Sequence, residues 1–139
     1  MKIDSRQKSA NGSCLCGAIH FSILLPSKWA AHCHCTMCQR AHGAAFVTWV
    51  GSEQSRARIV DPQSHLRWFA SSQEAERGFC ACCGSTLFFR SEQWPGELHI
   101  TYANFNQPLD RQPQVHVFWD SHVNWLSVAD DGLPRKIRA

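Results

Sequence analysis

Residues 12–25 read GSCLCGAIHFSILL, and two patterns meet in them. Ile19, Phe21, Ile23 and Leu25 alternate with His20 and Ser22, with Ala18 on their face. An apolar residue at every second position is the pattern of a strand with one face buried. Just before it, Cys14 and Cys16 are separated by one residue and followed by Gly17. That spacing lets a tight turn aim two sulfurs at one point.

Working outward, Pro26, Ser27 and Lys28 form a turn, and residues 29–32 return as a strand that delivers Cys33. Residues 36–41 fit one short helical turn. Residues 44–50 are apolar, rich in β-branched and aromatic side chains, and bounded by Gly43 and Gly51, which predicts another strand. Shorter strands are predicted at 57–60, 65–69, 86–90, 98–102 and 115–119, each set off by Gly, Pro, Ser or Asp. No segment holds a helical period over three turns. The fold class is mainly β, with short antiparallel sheets and few short helices. A length of 139 residues suits one domain. We place a flexible lead at 1–11, the domain at 12–128 and a solvated tail at 129–139.

Composition narrows the function classes. Hydrophobic residues are 44% and charged residues 18%, as in an ordinary globular protein. The net charge is +3, and the arginines are scattered rather than gathered into a stripe that would follow a phosphate backbone. This argues against nucleic acid as a partner. No apolar run is long enough to span a bilayer, so no membrane partner is expected. The first twelve residues lack the apolar stretch of a secretory signal, so the expected location is cytoplasmic. Cysteines in that reducing compartment serve as ligands or catalysts more often than as disulfides.

Eight cysteines fall in three clusters: Cys14 and Cys16; Cys33, Cys35 and Cys38; Cys80, Cys82 and Cys83. Disulfides between such near neighbours would close very small rings, whereas zinc takes four thiolates gathered from two distant loops. Cys14 and Cys16 with Cys80 and Cys83 make a closed four-sulfur site joining the start of the fold to its middle. The glycines after each pair, Gly17 and Gly84, suit tight knuckle turns. Cys82 is left over, although pairing Cys80 with Cys82 would mirror the first cluster. Cys33, Cys35 and Cys38 stand apart as three ligands, with the fourth position open as in a catalytic zinc. The alternative is that His32, His34 or His42 closes that site.

These residues resemble the family of glutathione-dependent formaldehyde-activating enzymes and centromere protein V (the GFA and CENP-V group). The resemblance rests on Gly12–Gly17, on His32, Cys33, Cys35, Cys38 and Arg40, and on Gly43 to Phe46. Later blocks are Ser71 and Ser72, Arg77 to Ser85, Leu109 and Asp110, Pro113 to His116, and Trp125. It implies a β-tent fold tied together by zinc. It also implies a structural zinc on Cys14, Cys16, Cys80 and Cys83 and a catalytic zinc on Cys33, Cys35 and Cys38, two Zn2+ per chain. The activity it implies is that of a carbon–sulfur lyase, joining glutathione and formaldehyde as S-hydroxymethylglutathione.

A free thiol has a pKa of about 8.5, so only a few per cent is thiolate at neutral pH. Zinc deprotonates a thiol and can polarise an aldehyde oxygen. Three thiolates on Zn2+ leave a net charge of about −1, a weaker Lewis acid than zinc on three neutral imidazoles. Neighbouring cations must offset that charge. By sequence the nearest candidates are Arg40 and His42, with His34 as a proton shuttle and His116 as a structural histidine. Trp49, Trp68, Trp119 and Trp125 are expected to fill the core. A substrate pair of thiol and small aldehyde follows; the competing class is a non-enzymatic zinc module for a protein or nucleic-acid partner.

Overall fold

The computed structural model describes residues 8–139. Ten strands and one α-helix follow in order. The first half runs β1 (Ser9–Ser13), β2 (His20–Leu24), β3 (Trp29–Cys33), α1 (Thr36–His42), β4 (Val47–Glu53) and β5 (Ala57–Val60). The second half runs β6 (Leu66–Ala70), β7 (Ala75–Cys80), β8 (Thr86–Ser91), β9 (Glu97–Thr101) and β10 (His116–Val117). They form a three-stranded sheet, β1-β2-β5, and a seven-stranded sheet, β10-β3-β4-β9-β8-β7-β6. Every strand pairing is antiparallel except that of β10 with β3. The mainly-β expectation holds, and the expected helical turn is α1. No helix of the described residues is long and apolar enough to cross a membrane.

Strand alternation gives the large sheet two different faces. Val50, Leu87, Phe88, Leu98 and Ile100 pack with Ala10, Phe21 and Ile23 of the small sheet and with Ile19 just before β2, all buried. Phe21 sits at the centre, edge-on to Phe88 at 5.6 Å and to Phe105 at 5.0 Å. The neighbouring residues on the same strands, Trp49, Phe89 and His99, face the other way. Trp49 joins Cys33, Cys38 and Val47 in a second buried cluster, against which Trp29, Phe89 and Phe118 pack. One face of the sheet is core, and the other is available for a site.

Three expectations change. The segment expected as a flexible lead carries β1 from Ser9, paired with β2 along its whole length; residues 1–7 lie outside the described residues. Small side chains are required there: a Cβ on Gly12 would stand 2.1 Å from the Asn104 carbonyl oxygen. The 129–139 segment is not a solvated tail throughout. Pro134 and Lys136 exchange backbone hydrogen bonds with His116, and Trp119 donates to Lys136. Finally, Trp125 is 72% exposed and fills no core.

Strand β7 is absent from the strands expected above. Its residues Ala75-Glu76-Arg77-Gly78-Phe79-Cys80 show no apolar alternation, yet it lies between β6 and β8. A Cβ on Gly78 would press on Trp68 at 3.1 Å and on Phe88 at 3.2 Å, so a side chain there would have to shift these rings by a few tenths of an ångström. A register shift between Gly78 and Phe79 then leaves Leu87 of β8 unpaired. That irregular strand buries Arg77, on the face opposite the core.

Candidate metal centres

The first cluster is built from two similar turns. Gly17 donates its backbone N–H to the Cys14 carbonyl at 3.2 Å, and Gly84 donates to Cys80 at 2.7 Å. Both glycines have φ near +80°, a conformation an L side chain rarely takes. The turns are tied to each other by the Leu15 N–H, which donates to Ser85 Oγ at 3.0 Å. Four sulfurs come together, those of Cys14, Cys16, Cys80 and Cys83, all within 4.8 Å of one another. Cys14 and Cys16 are 3.6 Å apart at Sγ, and Cys16 and Cys80 are 3.8 Å apart. Four thiolates at about 2.3 Å from one ion are separated by roughly 3.8 Å along each tetrahedral edge. All eight cysteines are free, so these contacts are not disulfides. Exposed Cys82 lies outside the group.

The second cluster sits on the other face. β3 ends at Cys33, and Cys35 caps α1, its sulfur accepting the Cys38 N–H at 3.3 Å. Cys38 lies one turn into the helix, 3.6 Å from Cys33 at Sγ. A helix N-terminus favours anions, so the local backbone suits thiolates. Without a cation the three cannot ionise together. Hydrogen bonding with Cys35 and Cys38, aided by burial, pushes the Cys33 thiol far up. The Cys35 thiol is held low by hydrogen bonding with Cys33 and then Cys38, helped by the Cys38 N–H and by Arg77. Both cysteine groups could hold a metal ion.

A cavity of about 790 Å3 opens over the three sulfurs. Its walls are aromatic, from Trp29, Trp49, Phe89, Trp94 and Phe118, with Ser71, Gln73 and Gln114 among the polar groups. Its cationic side chain is Arg77. Arg77 is 6% exposed, donates through Nη2 toward Cys38 Sγ at 3.6 Å, and lies 5.1 Å from the Phe89 ring centre. Its Nη1 is buried without a partner. Arg77 is thus the cation beside the three sulfurs, and sequence reasoning missed it. The signal was its place three residues before Cys80, among the motifs of the third cluster.

The sequence candidates for that role lie elsewhere. Arg40 is exposed and, like His34 and His42, does not line the cavity. Buried His34 turns its Nε2 to Nδ1 of His116, 2.8 Å away, so it does not shuttle protons to the cavity. His42 packs edge-on to Trp49, its Nε2 unpartnered. Burial and then Arg77 hold its pKa at about 4, so it is neutral at pH 7 and supplies no cation. None of these histidines joins the sulfur groups. Gln39 fastens the site's rim, donating through Nε2 to the carbonyls of His34 and Ser121.

A mainly β protein with a four-sulfur group between its sheets and a three-sulfur group under a cavity defines a class of thiolate proteins. The chain belongs to the family of glutathione-dependent formaldehyde-activating enzymes, whose model matches residues 9–121. It is 25% identical over 124 residues to a protein of Halomonas elongata named as a putative glutathione-dependent formaldehyde-activating enzyme, covering 84% of this chain and 79% of that one. It is 33% identical over 78 residues to an uncharacterized lyase of Schizosaccharomyces pombe, covering 56% of this chain and 55% of that protein. A crystal structure of a Rhodobacter sphaeroides protein shares the fold, with a TM-score of 0.56 and 24% identity over 73% of this chain and 92% of that one.

Proposed function

We propose that this chain is a zinc-dependent enzyme of the carbon–sulfur lyase type. It joins a glutathione-like thiol to formaldehyde or a similar small aldehyde, and catalyses the reverse. The observation that carries this reading is the position of Cys33, Cys35 and Cys38 at the wall of an aromatic cavity. Three donors facing a space large enough for a thiol leave room for a substrate as the fourth partner. Cys14, Cys16, Cys80 and Cys83 would hold a second, closed zinc that ties the two sheets together.

When bound, zinc would lower the pKa of a substrate thiol and polarise the aldehyde. The protein's own residues do the rest. The aromatic walls exclude water and hold the thiol's carbon chain. Arg77 offsets the negative charge of the three thiolates through Cys38, and its unpartnered Nη1 is available to the oxygen of the aldehyde. As the sulfur forms a bond to the carbonyl carbon, the C=O π pair moves to oxygen. The proton lost from sulfur ends on that oxygen, so one thiol and one formaldehyde give one S-hydroxymethyl adduct and nothing else. The family membership and the names of the two relatives support the reaction.

The test compares metal-loaded and chelator-treated protein with glutathione and formaldehyde, following adduct formation against the spontaneous rate. Acceleration by the loaded protein alone supports the reading. No acceleration with any thiol tried would overturn it.

A further inference from the structure

A third cluster of ligand atoms lies apart from both cysteine groups. His32 on β3 and His116 on β10 are direct neighbours across the single parallel strand pairing of the fold. Their ring centres are 4.8 Å apart and their planes 29° apart. Asp131, brought back along β10 by the chain that follows it, meets His116 Nε2 through Oδ2 at 2.8 Å. One ligand atom from each of the three residues lies within 4.8 Å of the others.

We propose that His32, His116 and Asp131 form a separate site for a divalent transition-metal ion, with zinc the probe of choice. Two imidazoles and one carboxylate are a familiar zinc donor set, distinct in kind from the sulfur groups. Each imidazole is already oriented by a partner on its other nitrogen. Thr48 Oγ1 holds Nδ1 of His32 at 2.8 Å, and His34 Nε2 holds Nδ1 of His116 at 2.8 Å. That is the outer support that ligating histidines use to fix ring and tautomer. A metal at His116 Nε2 leaves its proton on Nδ1, donated to His34. Donors at about 2.1 Å from an ion stand roughly 3.4 Å apart, so Asp131 Oδ2 would move out slightly from its 2.8 Å contact with His116 while the wider separations close. Asp131, whose side chain is 35% exposed, can make that movement and leaves the remaining position to water. A bound ion would clamp the C-terminal segment to the β3–β10 edge. The site does not depend on the proposed reaction.

The experiment is a zinc titration of the full chain with its cysteine groups already loaded, read by nitrogen-15 NMR of the histidine rings. The Nε2 signals of His32 and His116 should shift together, and Asp131→Asn should weaken that response by about tenfold or more. Asp131→Asn keeps a partner for His116 and should fold; thermal unfolding checks this, and His32→Gln gives a second variant. Rings that stay still in wild type, or both variants titrating like wild type, would overturn the proposal. The cysteine groups are loaded beforehand and their metal content is measured before and after the titration, so a change at the cysteines is separated from binding at these nitrogens.

Discussion

The guanidinium of Arg77 stands 3.6 Å from the sulfur of Cys38, a residue 39 positions earlier in the chain. That contact couples β7 of the large sheet to the three-sulfur group. Arg77→Gln removes the charge and the donor, and should lower metal retention at Cys33, Cys35 and Cys38 by about ten- to a hundredfold. Arg77→Lys should fall between the two, because an ammonium keeps the charge but loses the planar fork. Chelator competition, with the four-cysteine ion as internal reference, reads the effect.

Gly51 supports the cavity wall by having no side chain. A Cβ there would meet the Trp29 ring at 2.3 Å, where the indole N–H donates to Glu97 at 3.2 Å. Gly51→Ala should cost about 1–3 kcal/mol of stability and displace Trp29. In a steady-state assay KM for the thiol should rise more than kcat falls. Unchanged KM would mean that Trp29 does not touch the substrate.

Acid should weaken the fold in a defined window. Burial holds the His99 pKa below its ordinary 6.5, while Glu97 pulls it part of the way back. The unfolded chain therefore takes up a proton near pH 6.5 that the folded chain refuses. Stability is full above that pH and declines as the pH falls below it, until folded His99 also protonates. His34 and His42, both held at about 4, act in the same direction. Urea midpoints at pH 7.5 and 5.5 should differ less in His99→Gln than in wild type.

On the proposed reaction, the cavity's lining should also discriminate between thiols. Glutathione carries two carboxylates, and Arg77, already engaged with Cys38, is the cation among the lining residues. A thiol with an apolar body should therefore react with kcat/KM at least equal to that of glutathione. Competition between the two thiols for the same aldehyde measures this directly.

What could be read beforehand follows from how local each signal is. Cys14 with Cys16, Cys33 with Cys35 and Cys38, and Cys80 with Cys83 lie close in sequence, so spacing alone assembles the sulfur groups that the fold brings together. Strand β2 is legible because its inward side chains are large. Strand β1 is not, because its buried positions are the small residues Ala10 and Gly12, and a Cβ on Gly12 would collide with Phe21 and Asn104. Strand β7 is hidden by a buried charge that makes sense only beside the sulfur of Cys38. For the same reason sequence favours Arg40 and His42, near the cysteines along the chain, over Arg77, near them in space. His32, His116 and Asp131 meet only because β10 runs parallel to β3 and the chain after it turns back.

We infer that the cysteines divide into four, three and one. Counting sulfur-bound zinc per chain, by metal analysis with X-ray absorption, tests it in wild type, Cys14→Ser, Cys35→Ser and Cys82→Ser. We predict two such ions in wild type and in Cys82→Ser. Cys35→Ser should keep one ion and remain folded but lose activity, whereas Cys14→Ser should lose more than about 4 kcal/mol of stability because the closed site contributes to folding. Loss of an ion in Cys82→Ser, or full retention in Cys35→Ser, would contradict the division.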